Sequence, residues 1–259
     1  MEPLLPTVVA HRGASAAAPE NTLAAFARAA EMGARWVECD VRLTADRVPV
    51  VIHDATLDRT TDGTGAVADR TVAAIARLDA GAWFARAFAG EPVPTLEATL
   101  DAATRHGLGL NVELKAEATA AARATAAGVA PLLAAWSGPL VVSSFAQSAL
   151  AALAGAAPSL RLGLLCRRAS SQAIARARAV GAVSLHVERR AFDAAAVCRV
   201  EAAGLWPVAY TVNDTAVAAR LWGLGVRTLI TDRPADLLAV AAERAPRPDP
   251  ASDLRRSAE

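Results

Sequence analysis

The sequence predicts an α/β protein, and within that class a TIM (β/α)8 barrel with a small insertion. Short apolar runs alternate regularly with alanine-rich helical stretches along the 259 residues. This alternation is typical of parallel strands that are covered by helices. A chain of this length buries enough surface for one sizeable core. Its 54% hydrophobic and 20% charged residues exclude a disordered chain.

Nine apolar runs have the length and composition of strands. They are Thr7–His11, Trp36–Arg42, Val48–His53, Leu108–Lys115, Leu140–Phe145, Arg161–Cys166, Val183–Glu188, Pro207–Val212 and Val226–Thr231. Helical stretches follow most of them. The first spans about residues 21–32, with Asn21 or Thr22 as its N-cap and Gly33 at its end. The others lie near residues 95–106, 117–135, 146–155, 169–180, 192–203, 214–223 and 234–244.

Nine strands are one more than the barrel needs, and the spacing of the second and third strands accounts for the extra one. Only the five residues Leu43–Arg47 separate them, whereas a parallel crossover needs a dozen or more. We therefore expect an antiparallel hairpin here, which leaves eight strands for the barrel. In the expected hairpin register His53 lies opposite Glu38 and on its face, and a slip of one residue would turn it away.

Residues 54–94 are too numerous for an ordinary connection between a strand and a helix. We expect them to form a small insertion beside the mouth of the barrel. The insertion contains the turn sequence DGTG at 62–65 and the aromatic residues Trp83, Phe84 and Phe88. The remainder of residues 1–244 forms a single barrel domain, and the proline-rich and charged residues 245–259 are expected to be a disordered tail.

Composition narrows the class of function and the compartment. The chain has 27 Lys and Arg against 26 Asp and Glu, for a formal charge of +1, and only 4% aromatic residues. Nucleic-acid binders usually carry a strong basic excess, so no nucleic-acid partner is expected. The three cysteines lack the spacing of a disulfide or zinc framework. Without a signal-peptide pattern or a long apolar span, we expect a cytoplasmic protein with no membrane span; the oligomeric state is not predicted.

Carboxylates are concentrated where the early strands end, which is where barrels place their functional groups. Glu38 and Asp40 are two residues apart and so point to one face of their strand. Glu113 has the same character on the neighbouring barrel strand. Three oxygen ligands without a thiolate favour one hard divalent cation, Mg²⁺ or Ca²⁺. The alternative is a network of salt bridges between these carboxylates and the basic residues Arg12, Arg42 and Lys115.

Two histidines, His11 and His53, flank the expected cation site at the ends of their strands. A pair of imidazoles near one ion suits general acid and general base catalysis. Arg12 and Lys115 add positive charge that suits an anionic phosphate ester. His106 is expected to cap a helix end, and His186 is a candidate for lining the pocket. The sequence has no nucleophile elbow, Walker A loop or dinucleotide fingerprint.

Four segments together resemble the glycerophosphodiester phosphodiesterases. They are HRGASAAAPENTLAAF at 11–26, ECDVRLTADRVPVVIHD at 38–54, NVELK at 111–115 and GVRTLITDRP at 225–234. The resemblance implies a TIM barrel with a small insertion, His11 and His53 as the acid and base, Glu38, Asp40 and Glu113 as metal ligands, and Arg12 and Lys115 on the phosphate. It implies that Glu20 and Asn21 order the first loop. Tyr210 replaces the tryptophan usual in the family and is a candidate pocket residue.

The expected reaction is metal-dependent hydrolysis of a glycerophosphodiester to sn-glycerol 3-phosphate and an alcohol. The nucleophile is either water or the 2-hydroxyl of the glycerol, which would first give a cyclic phosphate. Three alternatives remain open. The first is a lysophospholipase D, whose acyl chain would need an apolar trough from Trp83, Phe84 and Phe88. The second is a barrel that binds phosphodiesters without turnover, and a metal-dependent aldolase or epimerase is the more remote third.

Overall fold

The computed structural model describes residues 4–116 and 118–244. The strands are β1 Val8–His11, β2 Trp36–Leu43, β3 Pro49–Val51, β4 Gly109–Leu114, β5 Leu140–Ser144, β6 Leu162–Cys166, β7 Ser184–Glu188, β8 Trp206–Tyr210 and β9 Thr228–Thr231. The α-helices are α1 Leu23–Glu31, α2 Val72–Ile75, α3 Leu96–His106, α4 Thr119–Ala135, α5 Gln147–Ala156, α6 Ser171–Ala179, α7 Ala194–Ala202, α8 Thr215–Gly223 and α9 Pro234–Arg244. Short 3₁₀ turns occupy Val67–Asp69, Arg86–Phe88 and Arg189–Ala191.

Eight of the strands pair in parallel and close into a barrel. The order around the sheet is β1, β9, β8, β7, β6, β5, β4 and β2, and the pairing of β1 with β2 completes the circle. Helices α1 and α3–α9 alternate with these strands along the chain. The predicted TIM barrel is therefore confirmed, and the carboxyl ends of all eight strands meet at one rim.

The predicted hairpin is also confirmed, although its register differs by one residue. Strand β3 runs antiparallel to β2, with Val51 opposite Val41 and Val50 opposite Arg42. Continued further, this register would set position 53 opposite Cys39, so the expectation that His53 lies opposite Glu38 was wrong. The strand ends at Val51 and the chain bends at His53. Because His53 lies beyond the strand, the alternation of the pleat does not decide where its ring points.

Helix α1 shows how the alanine-rich sequence covers the barrel. It begins after Thr22, whose side chain accepts a hydrogen bond from the Ala25 amide, and it ends before Gly33, which has a φ of +86°. This is the usual combination of a hydroxyl N-cap and a glycine in the left-handed region. Ala25, Phe26 and Ala29 are buried against the strands. Small alanines let helix and sheet approach closely, which explains why so few aromatic residues suffice.

The insertion at 54–94 packs on β3 and has a small hydrophobic core of its own. The core residues are Val50, Ile52, Leu57, Val67, Ile75, Ala80 and Val93. Phe84 contacts Trp83 on one side and Phe88 on the other, both edge to face, and Trp83 remains 41% exposed. The insertion thus continues directly from the hairpin that carries His53.

Within the described ranges, no helix is long and apolar enough to cross a membrane. The expected tail at 245–259 lies outside the described residues.

Candidate active site

A cleft of about 200 Å³ opens at the carboxyl ends of the barrel strands. It is lined by His11, Arg12, Glu38, His53, Asn111, Glu113, Lys115, Phe145, Leu165, Tyr210, Thr211 and Ile230. Six of the nine residues that the sequence nominated therefore face one cavity from the first three barrel strands and the hairpin. A seventh, Tyr210, joins them from β8.

Three buried carboxylates form a cage at the base of this cleft. Glu38 and Asp40 both lie on β2, and Glu113 on β4 is paired in register with Asp40. In-register neighbours of a parallel pair point to the same face, so all three side chains turn into the barrel. One oxygen from each lies within 4.8 Å of the other two. The residues are between 0% and 6% exposed, and so much buried negative charge requires compensation.

Arg12 and Lys115 provide part of that compensation. The Lys115 ammonium lies 2.6 Å from Glu113 Oε1 and 3.0 Å from Asp40 Oδ1. The Nε atom of Arg12 lies 3.1 Å from Asp40 Oδ2. Burial opposes the ionisation of Asp40, but Lys115 and Arg12 outweigh it and hold the pKa of Asp40 well below its usual range. Burial and repulsion from Asp40 raise the pKa values of both Glu38 and Glu113.

The salt bridges do not use all the oxygens of the cage. Glu38 Oε1 is buried without a hydrogen bond, and so is the nearby amide oxygen Asn111 Oδ1. Asn111 is paired in register with Glu38 and lines the cleft. Buried oxygens without partners are costly, and hard cations such as Mg²⁺ and Ca²⁺ take oxygen ligands of these types. The residues therefore fit a divalent cation. The carboxylates that would bind it also take part in the salt bridges.

The loop after β1 folds back so that Arg12 reaches this cage. Arg12 has a φ of +56°, and Gly13 after it has a φ of +81°. A Cβ atom on Gly13 would lie 2.6 Å from the backbone of Ala25, so only glycine permits this approach. The Arg12 amide donates to Glu38 Oε2 at 3.0 Å, and its Nη1 donates to Glu20 at 2.7 Å. Strained backbone at such a position is typical of functional loops.

Asn21 ties the other end of this loop to the cage. Its Nδ2 donates to Asp40 Oδ2 at 2.8 Å, and its Oδ1 accepts from the Asp40 amide at 3.1 Å. Asn21 is 3% exposed and also has a positive φ, of 59°. Glu20 bonds Arg12 on one side and Arg59 of the insertion on the other. Both residues thus order the loop by direct contacts.

His11 is held by Asp232, an aspartate for which the sequence predicts no role. His11 Nδ1 lies 2.6 Å from Asp232 Oδ1, and Ser15 Oγ donates to the same oxygen at 3.0 Å. Asn213 Nδ2 donates to the second oxygen, Asp232 Oδ2, at 2.5 Å. Burial opposes the ionisation of Asp232, but the bond from His11 contributes most to lowering its pKa to about 2. The other ring nitrogen, His11 Nε2, lies 3.9 Å from Glu38 Oε2 and so faces the cage.

His53 has a similar partner within the insertion. Its Nδ1 lies 2.6 Å from Asp54 Oδ1, and Arg59 Nε donates to Asp54 Oδ2 at 2.6 Å. The backbone of His53 is fixed as well, because Arg42 Nε donates to its carbonyl at 2.8 Å. Burial lowers the pKa of His53, and the hydrogen bonds from Arg59 keep the pKa of Asp54 well below its usual range. Each imidazole therefore has one nitrogen anchored to a carboxylate.

Tyr210 and Phe145 form an aromatic wall of the cleft. Their rings meet edge to face with centroids 6.0 Å apart, and Phe145 is 44% exposed. The Tyr210 hydroxyl donates to the carbonyl of Cys166 at 3.1 Å. Trp83, Phe84 and Phe88 of the insertion are not part of the described cleft lining.

His186 does not line the cleft, which corrects the expectation that it would. The residue is 0% exposed and its Nε2 lies 3.0 Å from Ser184 Oγ. It is paired in register with Leu165, which does reach the cleft, and with the buried Val208. Its ring therefore occupies the closed barrel interior, and burial lowers the pKa of His186 to about 3. His106, as expected, is the last residue of α3, followed by a left-handed Gly107.

Comparison with known proteins places these features in one family. The model of the glycerophosphoryl diester phosphodiesterase family matches residues 11–236. The proposed glycerophosphodiester phosphodiesterase YhdW of Bacillus subtilis is 37% identical over 88% of this chain and 94% of its own length. The glycerophosphodiester phosphodiesterase of Caldanaerobacter subterraneus subsp. tengcongensis is 36% identical over 89% of this chain and 96% of its own.

A solved structure gives the same result in three dimensions. The structure of an Oleispira antarctica phosphodiesterase in complex with its product sn-glycerol-3-phosphate has a TM-score of 0.88 to this chain. It is 34% identical, and the match covers 92% of this chain and 97% of the other. The similarity thus extends over the whole barrel.

Proposed function

The chain belongs to the glycerophosphoryl diester phosphodiesterase family and hydrolyses glycerophosphodiesters, and from this premise we propose how its cleft does so. The products are sn-glycerol 3-phosphate and an alcohol. His11 and His53 supply the acid and the base, Glu38, Asp40 and Glu113 hold one divalent cation, and Arg12 and Lys115 bind the phosphate. The observation that carries the proposal is that two anchored imidazoles and three converging carboxylates share one cleft.

The charge of the cage supports an anionic substrate bound together with a cation. The three carboxylates carry three negative charges, and the guanidinium of Arg12 and the ammonium of Lys115 carry two positive ones, which leaves one net negative charge. Glu20 adds nothing to this sum because its charge is balanced by that of Arg59. A phosphodiester also carries one negative charge and would be repelled. A divalent cation held by these carboxylates would reverse the sign of the cage, which would then attract the diester. We therefore expect the cleft to bind its substrate well only together with a cation.

Glu38, Asp40 and Glu113 would hold the cation, and the free oxygen of Asn111 is the fourth candidate ligand. All four are hard oxygen donors, which favours Mg²⁺ or Ca²⁺ over softer metals. Bound there, the cation would polarise the phosphoryl oxygens and neutralise charge as it develops. Arg12 and Lys115, which already lie at the cage, would contribute fixed positive charge to the same oxygens.

The two histidines divide the proton transfers. The carboxylates of Asp232 and Asp54 accept from Nδ1–H of His11 and His53, which leaves each Nε2 available in the cleft. One imidazole takes the proton of the attacking hydroxyl, and the other gives a proton to the departing alcohol. The attacking group is water or the 2-hydroxyl of the glycerol. An attack by the 2-hydroxyl would gain from its enforced proximity and would need water for a second step.

The alternative functions find less support in the cleft. A lysophospholipase D would need an apolar trough, yet Trp83, Phe84 and Phe88 do not contribute to the described lining. The volume of about 200 Å³ is small for an acyl chain. Binding without turnover would not require two imidazoles that are each oriented by a carboxylate.

The test is the release of glycerol 3-phosphate from glycerophosphocholine by the full chain, beside a lysophospholipid. We expect activity that EDTA abolishes and that Mg²⁺ or Ca²⁺ restores. His11→Gln and His53→Gln should each lower kcat by about 10²–10⁴-fold, because each removes an acid or a base. The matched control, His106→Gln, changes an exposed helix end and should retain full activity. Full activity in either cleft variant, or in EDTA, would refute the assignment.

A further inference from the structure

A second cavity, strongly basic, lies at the same rim of the barrel as the cleft. It has a volume of about 790 Å³ and is formed by the loops after β6 and β7 together with α7. We call it the Arg cavity; its charged residues are Arg167, Arg168, Glu188, Arg190, Asp193 and Arg199. The mechanism above uses none of them.

The arginines of this cavity are free to bind a ligand. All four are exposed, and among the described residues their side chains form neither an ion pair nor a hydrogen bond. Asp193 is committed elsewhere, because its Oδ1 accepts from the Ala196 amide as the N-cap of α7. The whole chain carries a formal charge of only +1. Four guanidiniums against the carboxylates of Glu188 and Asp193 leave a local excess of two positive charges around one concavity, which favours the binding of an anion.

The Arg cavity and the cleft share a wall. Leu165 lines the cleft, and Arg167, two residues further along, lines the Arg cavity. Two residues of extended chain span only about 7 Å. Two hydrogen bonds join the lining of the cleft to the segments that form the Arg cavity. The Tyr210 hydroxyl donates to the Cys166 carbonyl at 3.1 Å, and Arg189 Nη1 donates to the Thr211 carbonyl at 2.6 Å. A group attached to the substrate by a short linker can therefore reach the arginines.

We propose that the Arg cavity binds a second phosphate, carried by the alcohol half of the substrate. The preferred substrates are then glycerophosphodiesters whose alcohol bears a further phosphate ester. Guanidinium groups bind phosphate through paired hydrogen bonds, and a concave site suits one compact anion better than an extended polyanion. The inference rests on the proposed function, because it extends the same cleft toward the leaving alcohol.

The test compares two substrates that differ by one glycerophosphate group, which brings the second phosphate. One is glycerophosphoglycerol; the other is a central glycerol esterified to two glycerophosphates. We expect kcat/KM for the second to be higher by about tenfold or more, the worth of one charge-assisted hydrogen bond, after correction for its two equivalent diesters. The double variant Arg167→Gln/Arg190→Gln should lose this preference and keep its rate on glycerophosphoglycerol. The control double variant Arg105→Gln/Arg161→Gln, with the same loss of two charges beside the amino ends of β4 and β6, should keep both.

Each other outcome is decisive. Equal kcat/KM values for the two substrates in the wild-type chain, or an unchanged preference in the double variant, would overturn the inference while the hydrolysis itself stands. Hydrolysis of neither substrate would refute the proposed function and the inference with it. If the double variant loses binding to phosphatidylglycerol vesicles but keeps its substrate preference, the arginines serve an anionic membrane surface and the proposal is wrong.

Discussion

Asp232 controls the orientation of a single ring. Its carboxylate lies 2.6 Å from His11 Nδ1 and is itself held by Asn213 and Ser15. With the proton fixed on Nδ1, the other nitrogen of His11 is unprotonated in the neutral ring and faces the cage. Asp232 contacts His11 and not the cage of carboxylates, and we therefore propose that it is a positioning residue for His11.

Asp232→Asn should lower kcat by about 10²-fold or more while KM changes little. An amide in place of the carboxylate can favour the wrong tautomer of His11, and it no longer stabilises the charged ring. The division between kcat and KM provides the check, together with rescue: Asp232→Glu keeps a carboxylate for Nδ1 and should recover part of the lost kcat. The exposed Asp236→Asn is the control. A fall in stability with an unchanged kcat would contradict the positioning role.

Glu38→Gln should affect two properties differently: the thermal stability of the metal-free chain and its affinity for the cation. Repulsion within the buried cage is relieved when one carboxylate loses its charge, so in EDTA the Tm should stay the same or rise. The affinity for Mg²⁺ or Ca²⁺ should fall by roughly 10–100-fold, as for changes around other metal sites. Thermal unfolding during a cation titration measures both. Asp101→Asn, on the exposed face of α3, is the matched control, and an unchanged cation response in Glu38→Gln would remove Glu38 from the ligand set.

His186 should destabilise the fold as the pH falls below about 6.5, the usual value of an exposed histidine. Its pKa in the folded chain is about 3, so between these values the unfolded chain takes up a proton that the folded chain does not. The free energy of unfolding then falls by about 1.4 kcal/mol for each pH unit of acidification. The free energy of unfolding, measured with urea, should fall more steeply with acidification over this range for the wild type than for His186→Gln. Parallel curves would show that His186 is protonated in the fold.

At the scale of elements, the insertion is a separately packed unit that supports one half of the site. Its core rests on β3, and it carries Asp54 and Arg59, which anchor His53 and Glu20. A loss of packing in the insertion should therefore reduce activity without unfolding the barrel.

Ile75→Ala tests this division because Ile75 is 1% exposed and belongs to the core of the insertion. We expect a loss of about 2–5 kcal/mol, typical of such cavities. Faster hydrogen exchange should appear in residues 54–94 before it appears in the barrel strands, together with reduced turnover. Simultaneous loss of protection in insertion and barrel would show a single cooperative unit.

The sequence predicted the elements well because each barrel strand is a short apolar run between capped helices. It failed where local pattern carries no information. The register of β2 and β3 is one residue from the expected one, because the turn at Thr44–Arg47 sets it and the short strand β3, Pro49–Val51, is apolar on both faces and so accepts either register. Helix α2, of only four residues, is too short to show helical periodicity.

At the scale of the whole molecule, the sequence indicated site residues where charged side chains lie close together along the chain. Glu38, Asp40 and Glu113 stood out because carboxylates are unusual in buried strands. Asp232 did not, since 221 residues separate it from His11 and only closure of the barrel makes them neighbours. The amide oxygen of Asn111 and the Arg cavity were also missed, because neither a single asparagine nor scattered arginines reveal burial or concavity.

The pairing of β1 with β9 has a consequence for the growing polypeptide. Ribosomes deliver β1 long before β9, so the three carboxylates of the cage and both imidazoles emerge well before Asp232. Until β9 docks, His11 lacks the partner that sets its proton, and we expect a chain without β9 to be a poor hydrolase. Docking of β9 is thus also the step that completes the surroundings of His11.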